Sequence, residues 1–188
     1  KNIDGLSLSA TPNLEIIDEL ITKIKNAKTK VYLEMYIFTE KKLQTAIKKA
    51  HDRWIDVKII LEKNVYMAPT LNIKTYNYFK NAWVPIVWSN SENYSLNHTK
   101  MMIIDDEIIL STGNYSHTTF KTNREFFMKF NDINLVSKLN DIFLNDFNWK
   151  KYLVYDENLV LSPFYSKDRF TYLLKNAKKS IKIYTLNF

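Results

Sequence analysis

Apolar segments of two different periods alternate along residues 13–88, and this alternation most strongly constrains the fold. Three segments carry apolar side chains at helical spacing, and three shorter ones are rich in branched and aromatic residues, which is typical of strands. Short links between alternating strands and helices predict parallel pairing through right-handed crossovers. The predicted helices span residues 13–27, 41–53 and 71–82, and the predicted strands span residues 30–38, 56–61 and 84–88.

The following segment predicts an extension of the same sheet. Residues 98–104 fit a strand, the polar residues 105–107 interrupt the pattern, and Ile108-Ile109-Leu110 resumes it, so a hairpin fits. A strand at residues 124–130 and a helix at residues 133–147 complete the unit. We therefore expect an α/β fold with a mixed, largely parallel sheet and helices on both faces, and a polar loop before residue 13.

His98 and Lys100 are the first candidate functional residues. Alternate residues of a strand share a face, so the imidazole and the ammonium group lie side by side. A fixed cation offsets the charge of a phosphodiester, and a neutral histidine can attack the phosphorus and form a covalent intermediate. The same pair on a strand is also a common surface feature, so the chemistry depends on what accompanies it.

Three further elements accompany the pair. His98-x-Lys100-x-x-x-x-Asp105 is followed by Ser111-Thr112-Gly113-Asn114 and then by Asn123-Arg124-Glu125. This arrangement resembles the HKD motif of the phospholipase D superfamily, whose usual Gly-Ser-x-Asn element here has serine in place of its first glycine. The resemblance implies a phospholipase D-like fold and a phosphodiesterase that needs neither a metal nor another cofactor.

The resemblance also assigns roles residue by residue. His98 would be the nucleophile or, in a paired half-site, the general acid. Lys100 and Asn114 would bind the phosphate oxygens, and Glu125 would orient His98 through its second ring nitrogen. Asp105 would complete the catalytic motif mainly by closing the strand end.

Composition narrows the classes of function. Hydrophobic residues make up 46% of the 188 residues, which excludes a disordered chain, and the absence of cysteine excludes disulfides. The formal net charge of +7 favours polyanionic partners such as nucleic acid or anionic headgroups. The sequence has no run long enough for a membrane span. The chain starts at Lys1, so a signal or anchor could have been removed, and no compartment is predicted.

The pattern of the first unit begins again after residue 152. Lys25-Asn26-Ala27-Lys28 recurs as Lys175-Asn176-Ala177-Lys178, 150 positions later. Each copy follows a proline-led helix and precedes a predicted strand that ends in phenylalanine. We therefore expect a phospholipase D-like domain at residues 1–152 and the beginning of a second, truncated repeat at residues 153–188.

Members of the superfamily generally use two such histidines, one as nucleophile and one as acid, and this chain has one motif. The second motif would come from a C-terminal repeat beyond this sequence or from a homodimer partner. We expect a phosphodiester substrate and take nucleic acid as the first hypothesis. The alternatives are a phospholipase D or cardiolipin synthase-type transphosphatidylase that acts on phospholipid, and a degenerate, non-catalytic HKD domain retained for binding.

Trp54 and Trp83 each lie at a predicted helix end, where glycine would be ordinary. Either the rings are local packing substitutions, or one codon of the gene has been translated with the wrong meaning. The sequence leaves both interpretations open.

Overall fold

The computed structural model describes residues 2–152, 154–156 and 158–185, and the chain forms two compact units, residues 1–152 and 153–188. The strands are β1 (Ser7–Ala10), β2 (Lys30–Met35), β3 (Asp56–Leu61), β4 (Ile86–Trp88), β5 (Lys100–Ile104), β6 (Glu107–Ser111) and β7 (Phe126–Phe130). The helices are α1 (Glu15–Asn26), α2 (Lys41–Asp52), α3 (Ile73–Asn81), α4 (His117–Lys121), α5 (Ile133–Phe147) and α6 (Ser166–Lys175).

The first unit contains a seven-stranded sheet with the strand order β1-β7-β6-β5-β2-β3-β4. The predicted mixed α/β sheet is confirmed, and β2, β3 and β4 are parallel as expected. The parallel share is smaller than expected, because the other four pairs of neighbouring strands are antiparallel. The hairpin of β5 and β6 joins the sheet beside β2, so the chain needs no crossover there.

Helices cover both faces of the sheet. On one face, Val31 and Leu33 of β2 belong to the buried core that also contains the apolar sides of α1 and α2. On the other face, the ring of Tyr32 stacks on Phe143 of α5, with 4.9 Å between the ring centroids. Both arrangements follow from the alternation of side chains along a strand.

Two elements of the first unit were not predicted. Residues 7–10, expected to be loop, form the edge strand β1 and pair with residues 126–129 of β7. Their sequence, Ser-Leu-Ser-Ala, carries little strand signal, and Leu8 remains 72% exposed, so backbone pairing with β7 defines the strand. The short helix α4 was also missed, because five residues are too few for a periodic pattern.

The second unit contains α6 at the position that the repeat predicted. The strand expected after it is not formed within the described residues: residues 180–185 have no regular secondary structure, and residues 186–188 lie outside the described part. A strand forms only beside a hydrogen-bonded neighbour, so the sequence pattern alone could not establish that a strand follows α6. In the described part of the chain, no helix has the length and apolar character needed to cross a membrane.

Candidate active site

The sheet topology brings the candidate residues to one edge of the sheet. β5 runs antiparallel to both β2 and β6, and β6 runs antiparallel to β7. The residues before β5, after β6 and before β7 therefore meet at the same edge, where β2 also ends. His98, Asn114 and Glu125 occupy these three positions, and Lys100 opens β5.

His98 and Lys100 contact each other directly. Nζ of Lys100 lies 3.1 Å from Nδ1 of His98 and donates to the carbonyl oxygen of His98 at 2.8 Å. The residue Lys100 is only 7% exposed, so its ammonium group is held between these two acceptors rather than in solvent. The pairing that strand alternation predicted is therefore present.

Burial makes both groups harder to charge. Loss of solvent lowers the pKa of Lys100 to about 8, although the carboxylate of Glu125 acts in the opposite direction. Desolvation first, and then the charge of Lys100, lower the pKa of His98 below its ordinary value. The imidazole is therefore neutral at neutral pH, and a neutral ring can act as a nucleophile.

Tyr36 supports the pair from the end of β2. Its ring lies 4.5 Å from the ring of His98, centroid to centroid, and 5.2 Å from Nζ of Lys100. Its hydroxyl accepts a hydrogen bond of 2.8 Å from the backbone N–H of Tyr66. Tyr36 was not among the predicted site residues, although its place at the end of a parallel strand could have suggested it.

Glu125 lies at this edge but is bound to another residue than the one predicted. Its Oε2 accepts a hydrogen bond of 2.6 Å from the hydroxyl of Thr112. Its backbone N–H donates to Oγ1 of Thr11, which is fully buried. Among the described contacts, none is a hydrogen bond from the imidazole of His98 to the carboxylate of Glu125, so the orienting role of Glu125 stays a prediction.

Gly113 allows Glu125 and the loop after β6 to pack closely. A β-carbon placed on Gly113 would lie 2.7 Å from Cγ of Glu125 and 2.7 Å from Cγ2 of Thr119. The next residue, Asn114, has a buried side-chain oxygen with no hydrogen-bond partner in the described part of the chain. A buried polar atom of this kind is costly unless a ligand or water completes it.

Asp105 lies at the opposite end of β5. It follows Lys100 by five positions, a distance of about 17 Å along an extended strand. Its carboxylate accepts hydrogen bonds from the backbone N–H groups of Lys28, Thr29 and Lys30 and from the hydroxyl of Thr29. These bonds lower its pKa against the effect of burial. Asp105 therefore ties the hairpin to β2 and does not meet the other four residues.

The tautomer of His98 decides what the ring can do. At neutral pH Lys100 keeps its proton and donates to Nδ1, so the neutral ring carries its hydrogen on Nε2. This tautomer suits a proton donor. Attack by Nε2 requires the hydrogen on Nδ1, where an acceptor such as a carboxylate would hold it.

A metal-assisted reaction would need a cluster of ligands. No group of three or more His, Asp or Glu side chains that could hold a metal ion occurs within residues 2–152, 154–156 and 158–185. The local cation at the site is Lys100.

Comparisons with known proteins agree with this architecture. The model of the cardiolipin synthase, PLD-like domain family matches residues 20–147. No curated protein sequence matches the chain.

The solved structures that are similar to this chain include the following three. Nuc of Salmonella typhimurium, described as a phospholipase D family member, shows 21% identity and a TM-score of 0.68 over 80% of this chain and 99% of its own. NucT of Helicobacter pylori shows 21% identity and a TM-score of 0.63 over 76% and 96%. The phosphatidylserine synthase of Haemophilus influenzae shows 14% identity and a TM-score of 0.63 over 90% of this chain and 42% of its own. With the family model covering more than half of the sequence, the chain belongs to the phospholipase D superfamily.

Proposed function

We propose that this protein is a metal-independent phosphodiesterase that forms a covalent phosphohistidine at His98. The observation that carries the proposal is the 3.1 Å contact between Nζ of Lys100 and Nδ1 of His98 at the edge where Asn114 and Glu125 also lie. In this reaction Nε2 of His98 attacks phosphorus, and the P–O bond to the leaving group breaks. Water then attacks the phosphohistidine and frees the imidazole.

The other site residues stabilise charge. Lys100 and Asn114 bind the non-bridging oxygens, whose charge grows in the transition state. The NH₂ group of Asn114 can donate to such an oxygen, and Asn114 lies at the same edge of the sheet as Lys100. A protonated Lys100 supplies the positive charge that a metal supplies in other phosphodiesterases.

The reaction requires a second half-site. One histidine attacks while another protonates the leaving alkoxide, and general acid catalysis typically contributes about 10²–10⁴ in rate. The tautomer that Lys100 favours on His98 suits the acid, so the His98 that attacks must carry its hydrogen on Nδ1 while its twin keeps the favoured tautomer and serves as the acid. A homodimer partner or a second repeat supplies that twin. The match covers 99% of the Nuc chain, which leaves no room in that chain for a second repeat and therefore supports the homodimer.

The second unit supports an internal repeat. At an offset of 150 positions, Leu20, Ile24, Val31 and Leu33 correspond to Phe170, Leu174, Ile181 and Ile183. The four residues of the first unit are all less than 2% exposed, whereas their counterparts are 47–56% exposed. Residues 153–188 therefore carry the apolar pattern of a core-facing helix and strand, which fits the beginning of a second phospholipase D-like repeat.

Nucleic acid is the proposed substrate. The net charge of +7 attracts a polyanion, and contacts to several phosphates make binding strongly dependent on salt. Log K should fall against log salt with a slope of about −0.9 for each neutralised phosphate of duplex DNA.

A phospholipid is the second candidate substrate. The matching family model describes a cardiolipin synthase domain, and a phosphatidylserine synthase is among the similar structures. The same histidine would then transfer a phosphatidyl group to an alcohol.

One experiment tests the covalent intermediate and the substrate together. Purified protein is incubated with EDTA and either plasmid DNA or phosphatidylglycerol vesicles, and turnover is measured in each. Labelled substrate is quenched during turnover, and peptides are mapped for acid-labile phosphate. We expect DNA cleavage that EDTA does not abolish and a label on His98. The variant His98→Asn should lose both, whereas His117→Asn, at an exposed histidine, should keep both.

Each other outcome has a definite meaning. Turnover of vesicles but not of plasmid would replace the nuclease by the transphosphatidylase. Equal turnover by the protein and by His98→Asn would contradict catalysis at this residue. Binding of DNA without cleavage by a confirmed dimer would favour a degenerate domain retained for binding.

A further inference from the structure

Asn97, the residue before His98, is held at three points. Its backbone N–H donates to Oε2 of Glu62 at 2.8 Å, and its side-chain NH₂ donates to Oε1 of Glu34 at 2.6 Å. Its side-chain oxygen accepts from the backbone N–H of Thr99 at 3.1 Å. The chain is therefore fixed immediately before and immediately after His98.

The two carboxylates are themselves rigidly placed. Glu34 is 2% exposed within β2, and Glu62 is 5% exposed just after β3. Glu62 also accepts hydrogen bonds from the hydroxyl of Ser89 at 2.8 Å and from the backbone N–H of Asn64 at 2.6 Å. A surface asparagine would not be anchored to two buried acids, so the arrangement is a support for the loop that carries the imidazole.

We propose that Asn97, anchored between Glu34 and Glu62, is the positioning residue for His98. The inference rests on the proposed phosphodiesterase function. The described hydrogen bonds of Asn97 run to Glu62, Glu34 and Thr99, and none of them reaches the imidazole. The contribution of Asn97 is geometric: a reacting group displaced by about 1 Å can lose about 10²-fold in rate.

The charges around Glu34 set the pH range in which a carboxylate at position 97 would be repelled. Glu34 is faced by Asp146 of α5, and Tyr94 donates a hydrogen bond of 3.1 Å to Asp146. Burial first, and then the charge of Asp146, raise the pKa of Glu34 to about 8. An ionised Glu34 still accepts from the Asn97 amide but would repel a carboxylate at position 97.

Exchanging the amide of Asn97 and the carboxyl group of Glu34 tests the proposal. In Asn97→Asp the new carboxylate faces Glu34, and at about pH 9, where Glu34 is ionised, we expect kcat to fall about 10- to 100-fold with little change in KM. Adding Glu34→Gln restores the hydrogen bond in the reverse direction, because the glutamine NH₂ donates to the aspartate. The double variant should therefore recover most of kcat, and Asn81→Asp, at an exposed position, is the matched control.

A readout independent of turnover separates this inference from the proposed function. The imidazole resonances of His98 should move in Asn97→Asp at about pH 9 and return in the double variant. If the protein cleaves no phosphodiester but the resonances behave in this way, the positioning role holds and the proposed function fails. Unchanged resonances in Asn97→Asp, or a double variant no better than the single one, would overturn the positioning role.

Three tryptophans have a backbone conformation that favours glycine. Trp54, Trp83 and Trp149 have φ values of 66°, 59° and 57°, in the left-handed region that favours glycine. Each is the second residue after the last residue of a helix, namely α2, α3 or α5. They are three of the four tryptophans in the chain.

All three positions have the same hydrogen bonds. The N–H of the tryptophan donates to the carbonyl three residues earlier, and the N–H of the next residue donates to the carbonyl five residues before it. The pairs are Trp54 to His51, Ile55 to Ala50, Trp83 to Lys80, Val84 to Phe79, Trp149 to Asp146 and Lys150 to Asn145. This is the Schellman motif, in which the left-handed residue is usually glycine.

The indoles of Trp54 and Trp83 do not account for the choice of residue, whereas Trp149 is 53% exposed and its Nε1 donates to the carbonyl oxygen of Trp88 at 3.1 Å. Trp54 is 96% exposed and Trp83 is 88% exposed, so neither indole fills the core. Trp88, in contrast, lies in β4 without a positive φ and stacks on Tyr76 at 4.0 Å. The chain contains only two glycines in 188 residues, where average usage of about 7% would give about thirteen.

We infer that the codon written as tryptophan at positions 54, 83 and 149 is read as glycine in the cell that makes this protein. A glycine removes the left-handed strain at all three positions and, at positions 54 and 83, also removes an almost fully exposed indole. Trp88 then remains the one tryptophan of the chain, with its ring stacked on Tyr76.

Mass spectrometry of the protein isolated from its own organism tests this directly. Peptides that cover the three positions should have the mass of glycine at each, and the gene should use one codon there. In recombinant protein, Trp54→Gly and Trp83→Gly should raise the melting temperature, whereas Trp88→Gly should lower it. Tryptophan in the native peptides would overturn the inference, as would glycine variants that are less stable than the starting protein.

Discussion

Nζ of Lys100 lies 3.1 Å from Nδ1 of His98 at the edge of the sheet, where Lys100 is buried and His98 is exposed. The contact links the charge of one residue to the tautomer of the other. Several measurable properties of the protein should therefore change with the protonation of Lys100 and with the packing around the pair.

Activity should fall as Lys100 loses its proton. The pKa of Lys100 is lowered to about 8, so its charge is present below that pH and lost above it. We expect kcat/KM for a phosphodiester to decrease above about pH 8, because the site then holds the phosphate without a cation. In Lys100→Arg the alkaline decrease should disappear from this range, since arginine stays charged. Lys121→Arg, at an exposed lysine, should keep the original profile.

Gly113→Ala should lower both the stability of the protein and its turnover. The added methyl group would lie 2.7 Å from both Cγ of Glu125 and Cγ2 of Thr119. We expect a loss of about 1–3 kcal/mol in unfolding free energy from overpacking, measured by urea denaturation. Turnover per folded molecule should fall as well, because Glu125 must move. Adding Thr119→Ser removes one of the two clashing atoms and should restore part of the stability, and no such recovery would contradict the packing account.

Glu34→Gln should stabilise the protein at alkaline pH. The folded state raises the pKa of Glu34 to about 8 and that of Asp146 to about 6, with burial as the main cause. The unfolded chain releases these protons near their ordinary values. The folded state therefore holds more protons between about pH 4.5 and 8, and stability declines as pH rises through this range.

Glutamine does not titrate, so Glu34→Gln should make the decline of stability with rising pH less steep. We expect Glu34→Gln to be more stable than the original protein by about 1–3 kcal/mol at about pH 9 and similar to it at about pH 4. Thermal unfolding measured across this range checks the prediction. A pH dependence that is unchanged in the variant would show that Glu34 ionises normally in the folded protein.

Asp105→Ala should lower stability with little effect on the chemistry of folded molecules. The substitution leaves the backbone N–H groups of Lys28, Thr29 and Lys30 without their acceptor. We expect a loss of about 2–4 kcal/mol in unfolding free energy. Asp105→Asn keeps an acceptor and tolerates the left-handed φ of 50°, so it should lose less. Because the pKa of Asp105 is lowered, its stabilisation is present above the ordinary carboxyl pKa and lost as pH falls below it.

The family and the local elements could be predicted from sequence. Strand β3 and helix α5 have the bounds that their periodic patterns indicated, because buried segments repeat apolar residues at the spacing of their own backbone. The contact between His98 and Lys100 likewise follows from the alternation of a strand. These features depend on neighbours within a few residues.

The sequence by itself therefore determined the α/β class, the sheet segments and the residues of the motif. Only the tertiary structure decided that β1 pairs with β7, that Glu125 binds Thr112, and that Glu34 and Glu62 hold Asn97. The physical reason is distance along the chain: hydrogen bonds between residues 13 to about 120 positions apart depend on strand order and register, which no local pattern encodes.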